Sequence, residues 1–413
     1  MKFKIQILNP QFTKNLSKIN NESFIMSLKK NYGDSHDLFV VSSKRFDISP
    51  YISKYYDKKI VFGISANRFY PLSNGKDPIE SYWNLRKNVV LYDVPEKPLE
   101  ISGSDSLKLL EKVFSRPIYD LKINRARYAI ACNYDGGIMM DGILIRLSSN
   151  KFWYIHADGN FETWLLAHSE GLKVNIRDPK SWAIQIQGPS ALKVLKNCVT
   201  SIDIEKFKYF HCSNLNFGVQ NFLVSRTGWT GELGFEIYSN GPQDDHLHLW
   251  DYIMERGKDF NIKTSSLDSM GIRRIEAGIL DYGTDMNRFN DPFEVGLGKF
   301  IDLSKGFFIG KDKLLTVNKK TKLFGIITQN IIPFSGLKIF YKNKIVGQTT
   351  VGAFSPYFGK GIGYALFNYN NNWIEKKLYI EDNENNLHGC QIVTLPFFDK
   401  SKKIPKLVNA NIS

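Results

Sequence analysis

The pattern of apolar and polar positions predicts short alternating helices and strands, with no repeat of fixed period. In the stretch from Ser225 to Tyr238, glycines suited to turns precede a strand in which apolar and polar side chains alternate. Glu236 lies in that strand between Phe235 and Ile237, so we expect its side chain to point away from the core face that these neighbours share. A carboxylate fixed there can accept two hydrogen bonds from a flat heterocycle, and the alternative is a hairpin with a solvent-exposed glutamate.

A second carboxylate lies inside an apolar segment. Residues 127–146 show the alternation of a β-hairpin, and Asp135-Gly-Gly supplies its turn. The returning strand carries Asp141 between Met140 and Ile143, where an ionised group is costly unless it is paired or faces a cavity. Asp141 is therefore a candidate for a chemical role, and the alternative is an edge-strand aspartate that faces water.

One further polar side chain, that of Gln187, occupies a position from which it could reach a cleft. A predicted strand over residues 182–187 ends at Gln187, next to a Gly-Pro pair that breaks the strand. A predicted helix over residues 265–279 carries Arg274.

Changes in polarity and in the predicted pattern of helices and strands divide the chain into four parts. Residues 1–60 are polar and form an N-terminal extension, whereas residues 61–318 mix helices and strands as an α+β core. Residues 319–398 contain close, short strands with Gly and Asn turns, which is typical of a small β-barrel. The polar tail, residues 399–413, is expected to fray.

Composition and charge narrow the classes of function. Hydrophobic residues make up 43% of the 413 positions, which indicates a globular protein. The formal net charge of +14 favours anionic partners in general, but the lysines are scattered and form no clustered basic helix. We therefore expect no nucleic-acid interface.

The cysteines and the N-terminus indicate the compartment. Four cysteines without a CxxC pair argue against a zinc ribbon or a disulfide framework and fit a reducing environment. His156 has no second histidine at ligand spacing, so no metal site is expected. The N-terminus shows no apolar signal segment, and no apolar run reaches the ~18 residues of a membrane span. These features predict a cytoplasmic protein without a membrane segment.

Motifs of the common nucleotide, metal and serine-nucleophile sites are absent from the sequence. It contains no G-x-S-x-G, no H-E-x-x-H, no P-loop and no Rossmann glycine motif after a first strand. Isolated carboxylates and many aromatic residues remain, a set suited to a planar organic cofactor with one carboxylate near the reacting atom.

Several stretches taken together resemble the aminomethyltransferase family, which includes the folate-binding T protein of glycine cleavage. They occur in family order over roughly residues 75–370. The resemblance implies tetrahydrofolate as cofactor and a multi-domain fold of two interleaved α+β subdomains followed by a C-terminal barrel. The stretches are Asp135-Gly-Gly-Ile-Met-Met-Asp141, Ile186-Gln-Gly-Pro189, Ser225-Arg-Thr-Gly-Trp-Thr-Gly-Glu-Leu-Gly-Phe-Glu236, Arg274-Ile-Glu-Ala-Gly278, Tyr282-Gly-Thr-Asp285, Pro292-Phe-Glu-Val-Gly-Leu-Gly298, Phe308-Ile-Gly-Lys311 and Ser355-Pro356.

The same resemblance implies roles for individual residues. Asp141 would lie beside the folate nitrogen that accepts the one-carbon unit, and Glu236 would hold the pterin. For Trp229 the choice is between core packing and a ring that faces a sulfonium or ammonium substrate, a cation–π contact of about 0.5–2 kcal/mol. The other implied pocket residues are Gln187, Arg274 and Tyr128.

Within the family the chain looks most similar to the dimethylsulfoniopropionate demethylases. Tyr82-Trp-Asn-Leu-Arg-Lys-Asn, Leu99-Glu-Ile-Ser-Gly and Thr394-Leu-Pro-Phe-Phe398 resemble that branch. Two departures from the T protein fit this interpretation: Pro95-Glu-Lys-Pro98 replaces its Ser-His-Met segment, and Met140 replaces the first of its paired aspartates.

Three functions are therefore compared. The first is a methyltransferase that moves a methyl group from a small sulfonium or ammonium donor to tetrahydrofolate. The second is the glycine-cleavage aminomethyltransferase, which has a lipoyl carrier protein as partner. The third is a folate-binding module without catalysis, which the presence of Asp141 disfavours.

Overall fold

The computed structural model describes residues 4–7, 38–41, 46–55, 60–156, 158–199 and 207–407. The remainder of the predicted N-terminal extension and the last residues of the tail lie outside the described residues. The strands are β1 (Lys4–Ile7), β2 (Leu38–Val41), β3 (Asp47–Ile48), β4 (Val61–Ser65), β5 (Arg68–Ser73), β6 (Val90–Val94), β7 (Lys97–Ser102), β8 (Arg125–Cys132), β9 (Ile138–Arg146), β10 (Lys151–His156), β11 (Asn175–Arg177), β12 (Ala183–Gln187), β13 (Cys212–Phe217), β14 (Gln220–Ser225), β15 (Gly234–Tyr238), β16 (Lys263–Ser265), β17 (Leu323–Thr328), β18 (Lys338–Tyr341), β19 (Lys344–Ser355), β20 (Lys360–Phe367), β21 (Leu378–Glu381) and β22 (Leu387–Val393).

The helices are short and lie between these strands. Short 3-10 helices cover Ile52–Lys54, Lys258–Phe260 and Gly298–Phe300. Within the described ranges, no helix is both long enough and apolar enough to cross a membrane. The α-helices are α1 (Pro78–Lys87), α2 (Ser106–Val113), α3 (Phe161–Ala167), α4 (Ala191–Cys198), α5 (His246–Arg256), α6 (Leu267–Glu276), α7 (Lys311–Thr316) and α8 (Lys403–Lys406).

Two sheets form the part of the fold that positions the site. One has five strands in the order β11-β7-β10-β9-β8, and the other has six in the order β13-β14-β15-β12-β6-β16. A buried cluster that includes Tyr92, Trp153, Ile155 and Tyr238 draws its residues from both sheets. The two sheets therefore share one apolar core, with their inner faces toward each other.

Helices cover the outer faces. Helices α4 and α5 pack on the six-stranded sheet, in the cluster that contains Phe235 and Ile237. Helices α2 and α3 pack on the five-stranded sheet, in the cluster that contains Met140 and Leu144. Because side chains alternate along a strand, Asp141 and Glu236 are left on the inner faces of their two sheets.

Local sequence explains where key elements begin and turn. Helix α1 begins after Asp77, whose side chain accepts a hydrogen bond from the Ile79 amide at 2.9 Å, as expected of an N-cap. Strands β8 and β9 form the antiparallel hairpin that the sequence predicts. Its turn contains Gly136 with φ of +81°, a conformation that favours glycine.

The C-terminal strands β17 to β22 close into a six-stranded barrel. The barrel joins the rest of the molecule through buried polar contacts to helix α6. The Tyr364 hydroxyl donates to the Arg274 and Ile275 carbonyls at 3.2 and 3.1 Å, and the Ser355 hydroxyl donates to the Glu276 carboxylate at 2.6 Å.

The first part of the tail is packed onto the core, contrary to the expectation that it frays. Ile404 is buried, and the Arg226 guanidinium donates to the Pro405 carbonyl at 3.1 Å. The Asp399 carboxylate accepts hydrogen bonds from the Lys403 and Ile404 amides, each at 2.8 Å, and so fixes the start of α8.

Candidate functional site

A cavity of about 760 Å³ lies where the inner faces of the two sheets meet the barrel and the tail. Both Asp141 and Glu236 line it, so the carboxylates of two different sheets face one space. Tyr128 and Trp229, the two aromatic residues implied by the resemblance, line the same cavity.

Asp141 is held on β9 by a defined set of contacts. Its Oδ2 accepts a hydrogen bond from the Tyr128 hydroxyl at 2.7 Å, while its buried Oδ1 has no hydrogen-bond partner among the described residues. Burial raises the pKa of Asp141 to about 7; the Tyr128 hydrogen bond opposes this rise and the Asp281 carboxylate adds to it. Asp141 can therefore take up or release a proton near neutral pH.

Asp281 is a second acid at this end of the cavity, and the sequence reasoning missed it. It lines the cavity, and burial raises its pKa, with the neighbouring Arg274 opposing the rise. Thr284 donates a hydrogen bond to it at 2.7 Å. The cavity therefore presents two half-buried acids, Asp141 and Asp281, to any ligand that carries positive charge.

Glu236 is the best-satisfied carboxylate of the site. It accepts hydrogen bonds from the Thr227 hydroxyl, from the Tyr238 hydroxyl at 2.7 Å and from the Gln185 amide at 3.0 Å. Burial raises its pKa, and the bonds from Thr227 and Tyr238 oppose that rise. With 6% of its surface exposed, Glu236 is not the solvent-facing hairpin residue of the alternative interpretation.

Glu96 is, after Asp281, another acid of the cavity wall that the sequence reasoning did not single out. It lies in the connection between β6 and β7 and lines the cavity. One nitrogen, Nε2 of Gln185, donates to Glu96 Oε1 and to Glu236 Oε1 at 3.0 Å each. Burial raises the pKa of Glu96 to about 8, and the negative charge of Glu236 adds to the effect. The local sequence did not single it out, since the segment from 89 to 101 also carries Asp93, Lys97 and Glu100.

The structure does not bring Gln187 into the cavity wall, which corrects the expectation from its position at a strand end. Gln187 pairs with Gly234 on the next strand, and a Cβ added to Gly228 or Gly234 would lie 2.3 Å from its amide. Its Oε1 accepts a hydrogen bond from Thr230 at 2.8 Å. Gln187 therefore packs against the glycine-rich turn. The glutamine of β12 that contacts a carboxylate of the cavity is Gln185, which lies on the same face of the strand and donates to Glu236.

Arg274 is also absent from the cavity wall and lies behind it. Its guanidinium pairs with the Asp285 carboxylate and lies 5.1 Å from the centre of the Trp229 ring. Burial lowers the pKa of Arg274, but the combined attraction of Asp285, Tyr364 and Asp281 exceeds that effect, so the pKa is raised overall. Arg274 therefore packs against the Trp229 ring. Trp229 itself lines the cavity and is half-buried, so it is not fully packed in the core.

Positive charge lines another part of the same cavity. Lys299 and three lysines of the tail, Lys400, Lys402 and Lys406, contribute to its wall, and their residues are exposed to solvent. Burial of part of the Lys402 side chain and the charges of Lys299 and Lys406 lower the pKa of Lys402. We call these four residues the lysine rim, and it attracts anionic groups.

Comparison with known proteins places these features in context. Residues 61–305 match the family model described as the GCVT N-terminal domain, and residues 322–399 match the glycine cleavage T-protein C-terminal barrel domain. The chain is 34% identical to an aminomethyltransferase of Caldanaerobacter subterraneus subsp. tengcongensis, over 70% of this chain and 79% of the relative. It is 30% identical to an aminomethyltransferase of Pseudothermotoga lettingae, over 77% of this chain and 89% of the relative.

A solved structure shows the same fold. The crystal structure of the glycine cleavage system aminomethyltransferase T from Bartonella henselae superposes with a TM-score of 0.76 at 21% sequence identity. The match covers 85% of this chain and 98% of the other. The prediction of an α+β, multi-domain aminomethyltransferase-type fold with a C-terminal barrel is confirmed.

Proposed function

Because the chain belongs to the glycine cleavage T-protein family, a family of tetrahydrofolate-dependent aminomethyltransferases, we propose that it transfers a one-carbon unit to tetrahydrofolate within this cavity. Asp141 acts next to the reacting nitrogen, and Glu236 holds the pterin. The observation that carries the proposal is that the carboxylates of two different sheets line one cavity.

The chemistry of the cavity wall fits this cofactor. Asp141 Oδ1 is buried and has no partner among the described residues, so it can accept a hydrogen bond from a donor of the kind that a reduced pterin carries. Folate also carries glutamyl carboxylates at the end remote from its ring. The lysine rim supplies the positive charge for those carboxylates.

When bound, tetrahydrofolate supplies the ring nitrogen that accepts the one-carbon unit. Asp141, with a pKa near 7, accepts a proton from that nitrogen or stabilises the positive charge that develops there. The Tyr128 hydroxyl fixes the orientation of the Asp141 carboxylate. Glu236, Tyr128 and Trp229 hold the ring in one orientation, which lowers the entropic cost of reaching the reactive geometry.

For the donor we place first the aminomethyl group of a lipoyl carrier protein. The support is that the relatives are named aminomethyltransferases and that the sequence match covers most of their length. The acid pair Asp141 and Asp281 favours a donor that carries a protonated amine. The net charge of +14 is compatible with docking an acidic carrier.

A small sulfonium or ammonium methyl donor, such as dimethylsulfoniopropionate, is the second candidate. A specific observation favours it: of the two departures from the T-protein pattern, the segment that begins at Pro95 faces the cavity, whereas Met140 is packed in the core behind the five-stranded sheet. Pro95 and Glu96, which replace part of the Ser-His-Met segment, line the cavity, and so do Thr394, Leu395 and Pro396. Part of the cavity wall therefore comes from segments on which the resemblance to the demethylases rests.

A donor assay tests the proposal and separates its alternatives. Purified protein and tetrahydrofolate are mixed either with an aminomethylated lipoyl protein or with dimethylsulfoniopropionate, and the folate products are separated by chromatography. Methylenetetrahydrofolate with release of ammonia supports the first donor, and methyltetrahydrofolate supports the second. Folate binding without product from either donor, or from a panel of related methylated amines, would support a non-catalytic module.

The Glu236 assignment is tested by binding alone. Glu236→Ala removes the carboxylate that accepts the ring's N–H groups, whose charge-assisted bonds are worth about 1.5–3 kcal/mol each. We expect the affinity of the Glu236→Ala variant for tetrahydrofolate, measured by calorimetry, to be at least roughly tenfold lower than that of the wild type. An unchanged affinity in a variant that folds normally removes the assignment.

A further inference from the structure

Glu96, which is half-buried, and Glu236, which is buried, are two acids joined by a single amide. The Nε2 atom of Gln185 donates to one oxygen of each, so the two accepting oxygens lie close together. Gln185 is positioned for this by its register, because it pairs with Glu236 on β15. Glu96 Oε2 is buried and has no hydrogen-bond partner among the described residues, although Glu96 lines the cavity.

The surroundings of the two acids differ. Glu236 accepts bonds from two hydroxyls, those of Thr227 and Tyr238, in addition to the Gln185 amide, and this stabilises its ionised form. Among the described residues, the Glu96 carboxylate accepts hydrogen bonds from the Gln185 amide and from its own backbone N–H, and burial together with the charge of Glu236 raises its pKa more than that backbone bond lowers it, so Glu96 is the member of the pair that keeps its proton.

Other charged groups surround Glu96 without reversing this order. The carboxylates of Glu236 and Asp93 both raise its pKa, and the Arg68 guanidinium lowers it less strongly than burial raises it. Asp93 has a raised pKa of about 6 and accepts a hydrogen bond from the Tyr55 hydroxyl. Above pH 7 Asp93 is therefore mostly ionised, and Glu96 is the acid of this group that titrates near pH 8.

We propose that Glu96 acts as a neutral carboxylic acid that donates a hydrogen bond to a ring carbonyl, beside the N–H groups that the Glu236 carboxylate accepts. This rests on the proposed function, since it concerns the ring bound in the same cavity. One acceptor and one donor side by side match the 2-amino-4-oxo edge of a reduced pterin, where N–H groups adjoin a carbonyl. Glu96 is then a specificity residue that selects a 4-oxo ring over a 4-amino ring.

The proposed role of Glu96 predicts that the relative affinity for two ligands, which differ only at ring position 4, depends on pH. The probes are 5-formyltetrahydrofolate and its 4-amino analogue, and binding to the whole protein is measured by calorimetry from pH 7 to 9.5. When Glu96 ionises it can no longer donate to a carbonyl, but it can accept from an amino group. The ratio of 4-oxo to 4-amino affinity should therefore fall by roughly tenfold or more as the pH rises through about 8.

Glu96→Gln supplies the matched variant. Glutamine keeps the size of the side chain and carries both a donor and an acceptor, but it does not titrate. We expect the variant to bind the 4-oxo ligand at pH 7 within a few-fold of the wild type and to show an affinity ratio that does not change with pH. Titration of the ring or of the lysine rim affects both proteins alike, so the difference between them reports on Glu96.

The outcomes separate this inference from the proposed function. If the wild type binds neither folate at any pH, the proposed function fails. If the wild type binds both but the ratio of affinities stays constant between pH 7 and 9.5, the role of Glu96 is wrong and folate binding stands. This ratio needs no variant, so it decides the matter even if Glu96→Gln does not fold.

Discussion

Burial and an incomplete set of hydrogen bonds give Asp141 its chemical character. Its pKa is raised to about 7, and its buried Oδ1 has no hydrogen-bond partner among the described residues. Asp141→Asn keeps the shape but can neither ionise nor accept a proton. We expect kcat to fall by about 10²–10⁴-fold, while the dissociation constant of tetrahydrofolate changes by less than roughly threefold. Normal turnover by the purified variant would remove Asp141 from the reaction.

The pH profile offers a second test at the same residue. If the ionised form of Asp141 accepts the proton, activity rises with pH through about 7 and is lost below it as the carboxyl becomes protonated. The Tyr128 hydrogen bond holds this pKa down. Tyr128→Phe removes the hydroxyl, so the inflection should move to higher pH. An inflection that stays in place, measured with a saturating donor, would show that another group controls the rate.

Single residues were predictable where the local pattern determines their environment. The side chain of Glu236 was predicted to leave the face of Phe235 and Ile237, and the alternation of the strand places it so. Glu96 was not predicted, because its character depends on Glu236, which is distant in sequence. The position of Gln187 was visible in the sequence, but the side chain of the strand's other glutamine, Gln185, is the one that reaches Glu236.

At the scale of elements, the turn before β15 is built around one buried amide. Gly228 and Gly234 both lie against Gln187, and a Cβ on Gly234 would come within 2.3 Å of its side chain. Gly234→Ala should displace the amide and break its bond to Thr230, at a cost of about 1–3 kcal/mol in the free energy of unfolding. Denaturant unfolding measures this cost.

A matched control separates this clash from a general effect of replacing glycine. Gly271 lies in helix α6, and a Cβ added there meets no atom within 4 Å. Gly271→Ala should be neutral or stabilising by about 0.5–1 kcal/mol. In a Gln187→Ala background, Gly234→Ala should cost less than in the wild type, because the amide is gone. Equal costs in the two backgrounds would contradict the proposed packing.

The helices and strands were largely predictable from the local sequence, whereas the pairing of strands that are distant along the chain was not. The hairpin of β8 and β9 and the cap of α1 follow from local turn and capping chemistry. The meeting of two sheets around one cavity depends on long-range pairing, such as that of β12 with both β6 and β15. A single sequence carries no local signal for such pairings.

At the scale of the whole molecule, the cavity is completed by parts that are far apart along the chain. The hairpin of β4 and β5 contributes Ser65 and Ala66 to its wall, and the tail contributes Lys400, Lys402 and Lys406. The barrel was predicted from the close, short strands of residues 319–398, but that pattern does not indicate that the chain returns to the cavity after the barrel. The short helix α8 and the buried Ile404 explain why it does so.

The lysine rim gives the last prediction. If its charges receive the glutamyl carboxylates of folate, replacing Lys400, Lys402 and Lys406 together by alanine should weaken binding several-fold at low salt, since each exposed pair is worth about 0.2–1 kcal/mol. The loss should be larger for a folate with several glutamates and should shrink as salt screens the interaction, and kcat at saturating folate should be unchanged. The control replaces Lys108, Lys193 and Lys344, exposed lysines outside the cavity wall, and so removes the same charge. Equal losses in both triple variants, measured by calorimetry, would mean that overall charge, rather than the rim, attracts the ligand.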